Sequence, residues 1–323
     1  MKFNTKWLIA MLVVAVTTVA SAQISYPDRP VKLVVGFPAG QATDIVARLL
    51  AEKLAKNLGQ PFIVENRPGQ GASVGVAYVA KSAPDGYTMA LTAAAAMVTN
   101  PHLYKNVGYD PINDFVPCAM LIEIPLALVA HPSAPFNTVP ELLAYAKANP
   151  GKLSYSSSGN GTMSHLAMER LKREGNVSLV HIPYQGSMRS MTDLIAGHVT
   201  VAFDTLTVTV PQLETKKIKA LAVATQKRLP LLANVPTVSE AGIPDFTASP
   251  WLGVVFPVGT PPEIVNKMHA ELMKVMDDPA VQKSLQSIGA VSRTNGPKEF
   301  AKIIEQDYKR WGKIVAESGA RID

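Results

Sequence analysis

"VKLVVGFPAGQATDIVARLLAEKLAKNLG", residues 31–59, sets an apolar run, a proline–glycine loop and an amphipathic segment in direct succession. The valine-rich run reads as a buried strand. Val46, Leu49, Leu50, Leu54 and Leu58 then recur on one face of a helix over 43–58, which Gly59 stops. A strand that passes through a short loop into a helix is the unit of an α/β sheet. The loop "GFPAGQATD" (36–44) lacks the glycine spacing of a dinucleotide fingerprint and the Gly-Lys-Ser/Thr of a phosphate loop. A helix start still exposes unpaired N–H groups at the positive end of its dipole, a place that favours an anion. The expected ligand is negatively charged and is not a nucleotide.

The unit recurs. Strand "PFIVEN", a helix near 74–82 and strand "YTMALTA" complete a first set. A second opens at "TVPELLAYAKANPG" (138–151), whose Thr138 and Glu141 form a capping box. Strand "LSYSS", helix "MSHLAMERLKRE", strand "SLVHIPY", helix "SMTDLIAG" and strands "VTVAFD" and "IKALAVA" follow. "SPWLGVVFPVG" (249–259) crosses back, and two amphipathic helices close the chain, the first predicted to start with a Thr260–Glu263 box. The pattern predicts two α/β domains with mostly parallel sheets. They span 23–122 with 250–323, and 123–249, joined near 118–132 and 249–259. Ligands of open α/β sheets sit beyond the carboxyl ends of the strands. Loops 37–44, 92–97, 156–162 and 183–187, together with Asp204, all fall there and converge on a cleft between the domains.

With 323 residues, 47% hydrophobic and 17% charged, the chain can bury one large or two medium cores. Its start reads as an export signal. Lys2 and Lys6 precede or flank an apolar stretch from Trp7 to Val16, and Ala20-Ser21-Ala22 offers a cleavage site that makes Gln23 the mature terminus. That stretch is shorter than the ~20 residues of a spanning helix. The later apolar run 118–130 is interrupted by Glu123 and Pro125. An exported, soluble protein is therefore expected. The net charge is +6, but its densest run is only Lys216, Lys217 and Lys219, which argues against nucleic acid as a partner. Cys118 is alone, so no internal disulfide forms. The six histidines include no His-Glu-x-x-His pair, and neither a metal nor a cofactor is expected.

"YPDRPVKLVVGFPAGQATD", "GQPFIVENRPGQG", "APDGYT", "NPHLY", "YDPINDF", "YAKANPGKLSYSSSGNGTMSHL", "HIPYQG", "DLIAGHV", "ALAVAT", "PTVSEAG" and "EFAKII" follow one another along the whole mature chain. In this order they resemble the Bug-type solute-binding proteins of tripartite tricarboxylate transporters. The resemblance implies a two-domain, type II periplasmic-binding-protein fold, a "Venus flytrap" that closes on a small organic carboxylate. It implies a membrane transporter as partner, or a sensor domain in its place, and a monomer is expected. Carried over, the first ligand loop is Phe37, Pro38, Ala39, Gly40, Gln41, Ala42, Thr43 and Asp44. The second domain supplies Ser157, Ser158, Gly159, Asn160, Gly161 and Thr162, with Tyr184, Gln185, Gly186 and the strand-end Asp204. Two departures stand out. Gln41 replaces the glycine usual in the family, and "TAAAAM" (92–97) is alanine-rich where many members place a serine or threonine. The resemblance therefore brings no particular ligand with it.

"GASVG" (71–75) matches the Gly-x-Ser-x-Gly elbow of serine hydrolases, which makes a secreted hydrolase using Ser73 the competing enzyme reading. In an elbow the serine sits directly after a strand, whereas "RPGQ" intervenes here. His165, one turn into its helix, is expected to pack or cap rather than to meet ligand. Asp204 can equally be an N-cap for whatever follows "VAFD". The anion loops hold no arginine, so the inferred site works through N–H groups, hydroxyls and water. Three or four charge-assisted hydrogen bonds, at roughly 1.5–3 kcal/mol each, reach the ~8 kcal/mol of a micromolar complex.

Overall fold

A computed structural model describes residues 26–318; the export signal and its cleavage site lie outside them. Val31–Val35 (β1) runs through the glycine–proline loop into Ala42–Leu58 (α1). Val46, Ala47, Leu50, Ala51 and Leu54 are the buried face of α1, and Gly59, left-handed at φ 70°, closes it by donating to Ala55 O at 3.0 Å. Phe62–Asn66 (β2), Ser73–Ala80 (α2) and Thr88–Ala93 (β3) complete the first set. A π-helical segment, Ala95–Thr99, leads into the short Asn100–Leu103 (α3). Phe115–Glu123 (β4) then passes directly into Leu126–Ala130 (β5), which belongs to a different sheet.

The second set comprises Val139–Ala148 (α4), Ser154–Ser157 (β6), Met163–Gly175 (α5) and Val180–Pro183 (β7). Ser187–Ile195 (α6), Val201–Thr205 (β8), Leu206–Glu214 (α7) and Lys219–Val223 (β9) follow. Trp251–Pro257 (β10) returns to the first sheet. Pro262–Asp277 (α8), Pro279–Ser287 (α9), Val291–Asn295 (β11) and Pro297–Ser318 (α10) finish the chain. The six-stranded sheet has the order β11-β4-β10-β3-β1-β2 and the five-stranded sheet β7-β6-β8-β5-β9. Each is the heart of one lobe.

The sheets are less parallel than the sequence suggests. β2, β1 and β3 are parallel, as are β7, β6 and β8. The strands that carry the chain between lobes pair antiparallel: β10 with β3 and β4, and β5 with β8 and β9. A strand arriving straight from the other lobe has no crossover helix to turn it, so it enters in the opposite sense. At the crossing Ile124 N–H donates to Pro250 O at 2.8 Å, which ties the outgoing and returning segments together.

The Thr138 cap forms as expected, accepting Glu141 N–H at 3.3 Å, while Glu141 reaches back to Asn137 N–H at 2.6 Å. The Thr260–Glu263 box does not form. α8 starts at Pro262 with Pro261 in the cap position, and the Thr260 hydroxyl donates instead to Pro257 O at 2.8 Å. Two successive prolines displace the helix start by one residue. Trp311 and Val315 of α10 share one apolar cluster with Met97 and Val98 of the first lobe and Leu142 and Leu166 of the second. The core thus runs on past the crossing strands.

Candidate functional site

Both lobes present strand ends to each other. The first loop leaves β1 with Pro38, Ala39 and Gly40 exposed, Phe37, Gln41 and Ala42 half-buried, and Thr43 and Asp44 buried. Gly40 adopts φ +82°, with open space where a side chain would stand. Asp44 faces into the loop. It accepts Gly40 N–H at 2.8 Å, Arg48 at 2.9 and 3.0 Å, and Asn66 Nδ2 at 2.9 Å. Burial pushes the Asp44 carboxyl up, but Arg48, the Gly40 N–H and Asn66 together outweigh it and hold it below the ordinary range. Asn66 also donates to Phe37 O at 2.9 Å. Asp44 therefore braces the loop, with Arg48 and Asn66 as partners that the sequence reading did not assign.

In the second lobe the hydroxyls also turn inward. Ser157 Oγ bridges Gly159 and His181, Ser158 Oγ meets Ser164 Oγ at 2.9 Å, and Thr162 Oγ1 donates to Gly159 O at 2.7 Å. Tyr184 OH donates to Asp193 at 2.6 Å, and Gln185 is exposed with its carbonyl toward Arg189 at 3.3 Å. Gly186 N–H and Tyr184 N–H bond back to Ser158 O and Ser157 O, locking the two second-lobe loops together. His165, expected to pack or cap, stacks on His181, and its Nδ1 accepts the N–H of Gly161, the residue before the N-cap Thr162, at 3.1 Å.

Asp204 is the penultimate residue of β8 and does not cap α7, whose N-cap is Thr205. It is 1% exposed; its Oδ1 accepts Ser187 Oγ at 2.6 Å and Thr205 N–H at 2.7 Å, and its Oδ2 has no partner. No cation is paired with it among the described residues. Burial pushes its pKa up to about 6 against the pull of Ser187 and Thr205.

The lobes touch at the loops. Thr99 Oγ1, at the end of the π-helical segment, lies 3.3 Å from Gly161 O, and a β-carbon on Gly186 would sit 2.9 Å from Gln41 Nε2. The structure thus brings together Gln41 with Gly186, and Thr99 with Gly161, while Ser187 links Asp204 to the same place. Thr99 was not among the expected residues; its neighbours Ala93 to Ala96 form a buried wall. Two cavities, about 560 Å³ beside Lys147 and Arg173 and about 530 Å³ beside Leu229 and Leu285, are lined by none of these loop residues.

Ser73 does not stand exposed at a turn. It is fully buried at the start of α2, where Asn100 Nδ2 (2.9 Å) and Tyr109 OH (3.2 Å) hold its hydroxyl. The glycines of "GASVG" serve packing: a β-carbon on Gly75 would lie 3.0 Å from Gly36 Cα. No group of His, Cys, Asp and Glu among the described residues could hold a metal, and none of the described helices is long and apolar enough to cross a membrane.

Residues 46–320 match the family model described as tripartite tricarboxylate transporter family receptor. BugT of Bordetella pertussis is 33% identical, over 92% of this chain and 92% of its own. Rpa4515 of R. palustris, solved with adipate, is 35% identical and superposes with a TM-score of 0.86 over 92% of this chain and all of that one. MatC of Rhodopseudomonas palustris, solved with bound malate, is 32% identical, with a TM-score of 0.82 over 90% of this chain and all of that one. Two α/β lobes facing across opposed loops, with these relatives over nearly the whole length, place the chain: it belongs to the tripartite tricarboxylate transporter receptor family, as a Bug-type solute-binding protein.

Proposed function

We propose that the protein is a periplasmic receptor that captures a small organic carboxylate between its lobes and delivers it to a membrane transporter. The lobes correspond to residues 23–122 with 250–323, and 123–249, and the receptor works as a monomer without cofactor. The observation that carries the reading is the meeting of opposed loops at Gln41–Gly186 and Thr99–Gly161. The first loop brings the start of α1, whose dipole favours an anion. Because the second-lobe hydroxyls and Asp44 are occupied within their own lobes, the ligand is left to backbone groups, the Gln41 carboxamide, the Thr43 hydroxyl and water. Asp204 Oδ2 is a remaining acceptor for a ligand hydroxyl, a protonated carboxyl or a bridging water.

Adipate and malate, the ligands of the two related structures, are the first probes. A ligand at 100 times its Kd stabilises the folded state by about 2.7 kcal/mol. Thermal denaturation across linear C4–C8 dicarboxylates should show a concentration-dependent rise for at least one of them. Calorimetry should place that complex near the micromolar range. A flat response to every dicarboxylate and hydroxy acid would remove the carboxylate reading. Transport is tested separately, by loss of uptake of the identified ligand when the gene is deleted.

A further inference from the structure

Three rings lie stacked behind the second-lobe loop. Tyr155 of β6 and His181 of β7 are 4.6 Å apart between ring centres with 12° between planes; His181 and His165 of α5 are 4.1 Å apart with 7°. Each imidazole turns a nitrogen to the loop. His181 Nε2 lies 2.7 Å from Ser157 Oγ, and His165 Nδ1 accepts Gly161 N–H at 3.1 Å. Gly161 is also where the lobes bond, since its carbonyl faces Thr99 Oγ1 at 3.3 Å. A single loop residue is held by His165 on one side and by the opposite lobe on the other.

We propose that His165, supported by the stacked His181, is a positioning residue for the second-lobe half of the ligand site, holding Gly161 in the closing conformation only while its Nδ1 is unprotonated. The inference rests on the carboxylate-receptor reading of the cleft. Accepting Gly161 N–H requires a lone pair on Nδ1, so the ring hydrogen belongs on Nε2, which lies 4.0 Å from Glu169. Protonation would set an N–H donor against the Gly161 donor, and charge on both stacked rings would add repulsion.

The titratable groups around the stack are few. Glu169 and Lys172 come from the same helix as His165, Tyr155 from β6 and His181 from β7. Burial lowers the pKa of His165; Glu169 opposes the shift and Lys172 assists it. Burial, with His165 second, pushes His181 down to about 4. Glu169 itself is held by Lys172 at 2.6 Å and by the Tyr155 hydroxyl. The stack is thus kept neutral near pH 7 and becomes charged only in acid.

The test compares the native chain with H165N, whose amide oxygen can replace Nδ1 as acceptor, and H165L, which cannot accept. Amide exchange read as the protection factor of Gly161, and affinity for adipate, are measured from pH 7 to pH 5. Gly161 protection and adipate affinity should each fall about tenfold in H165L, the scale of one net hydrogen bond, and stay within about threefold of native in H165N. The native chain should lose both more steeply towards pH 5 than H165N does. A folded H165L with native protection and affinity overturns the inference, as does H165N failing as badly as H165L. Equal pH profiles for native and H165N also overturn it, and this comparison decides the matter if H165L does not fold. If the native chain does not bind adipate, that choice of ligand fails, while Gly161 protection and its pH dependence still decide the role of His165.

Discussion

Asp44 and Asp204 show how differently two carboxylates are used at strand ends. Asp44 is 2% exposed yet surrounded by donors, Arg48 among them, so burial leaves it ionised. Asp204 is as deeply buried but has donors on one oxygen only, and its pKa rises to about 6. The folded state therefore holds the Asp204 proton more tightly than the unfolded chain does. Between about pH 4 and 6 the native protein binds the extra proton, so this group's contribution to stability is lost as pH rises through that window and stays lost above it. His165 and His181 have depressed values and act in the opposite sense, losing stability as pH falls below the ordinary histidine range. Urea unfolding of native and Asp204→Asn proteins between pH 4 and 7 separates the two. Stability of the variant should improve relative to native by roughly 1–3 kcal/mol from pH 4 to 6, then run parallel. A difference independent of pH would show that Asp204 does not titrate in this window. Part of this scale was legible in the sequence: the pattern puts Asp204 near a strand end and His165 one turn into its helix, and both stand there. The bracing of Asp44 by Asn66 was not, because the two are brought together only when β1 and β2 pair.

At the level of elements, α1 was readable to within a residue because an apolar stripe, a loop and a terminating glycine agree. Several elements were not read, among them α3, β4 and β5, and three more show why. α7, "LTVTVPQLE", is rich in β-branched residues and holds Pro211, both adverse to a helix; burial of Leu206, Thr209 and Val210 at helical spacing outweighs them. α9 is a short helix that Asp278 caps at 2.8 Å, immediately after the longer α8. β11 is an exposed edge strand without alternation, so it carries no period-two signal. The "GASVG" turn makes the opposite point, since a motif shared with hydrolases is here a device for bringing α2 against β1. A β-carbon on Gly36 would lie 2.4 Å from Ala72 Cβ and 2.5 Å from Ala72 O. Neither atom belongs to a flexible side chain that could swing away. Gly36→Ala should therefore destabilise the protein by about 1–3 kcal/mol or more, read as a lower urea midpoint with an unchanged slope. A midpoint equal to native would mean that α2 is less firmly seated on β1 than this packing indicates.

For the whole molecule, two crossing segments joined at Ile124–Pro250 and two interlobe loop contacts define a conformation in which the lobes touch. Ligand can favour that conformation only by binding it better than an open one. Saturating adipate should then reduce the radius of gyration measured by small-angle scattering, towards the profile calculated from this structure. Gly186 decides how closely the lobes meet, because a β-carbon there would lie 2.9 Å from Gln41 Nε2. Gly186→Ala should weaken adipate binding and lessen compaction at equal ligand concentration. Two causes are available, since Gly186 also has φ +104°, which strains any L-residue. Adding Gln41→Gly separates them. If the collision across the cleft dominates, the double variant regains compaction relative to Gly186→Ala alone; if backbone strain dominates, it does not. The same pair tests what Gln41 does over Gly186: a carboxamide in that space should narrow the approach between the lobes and favour a slender ligand. Gln41→Gly alone should then admit bulkier carboxylates, while adipate, deprived of the carboxamide contact, binds more weakly than to the native chain. No change in radius for the native protein at saturation would remove the closing mechanism, whatever affinity calorimetry reports.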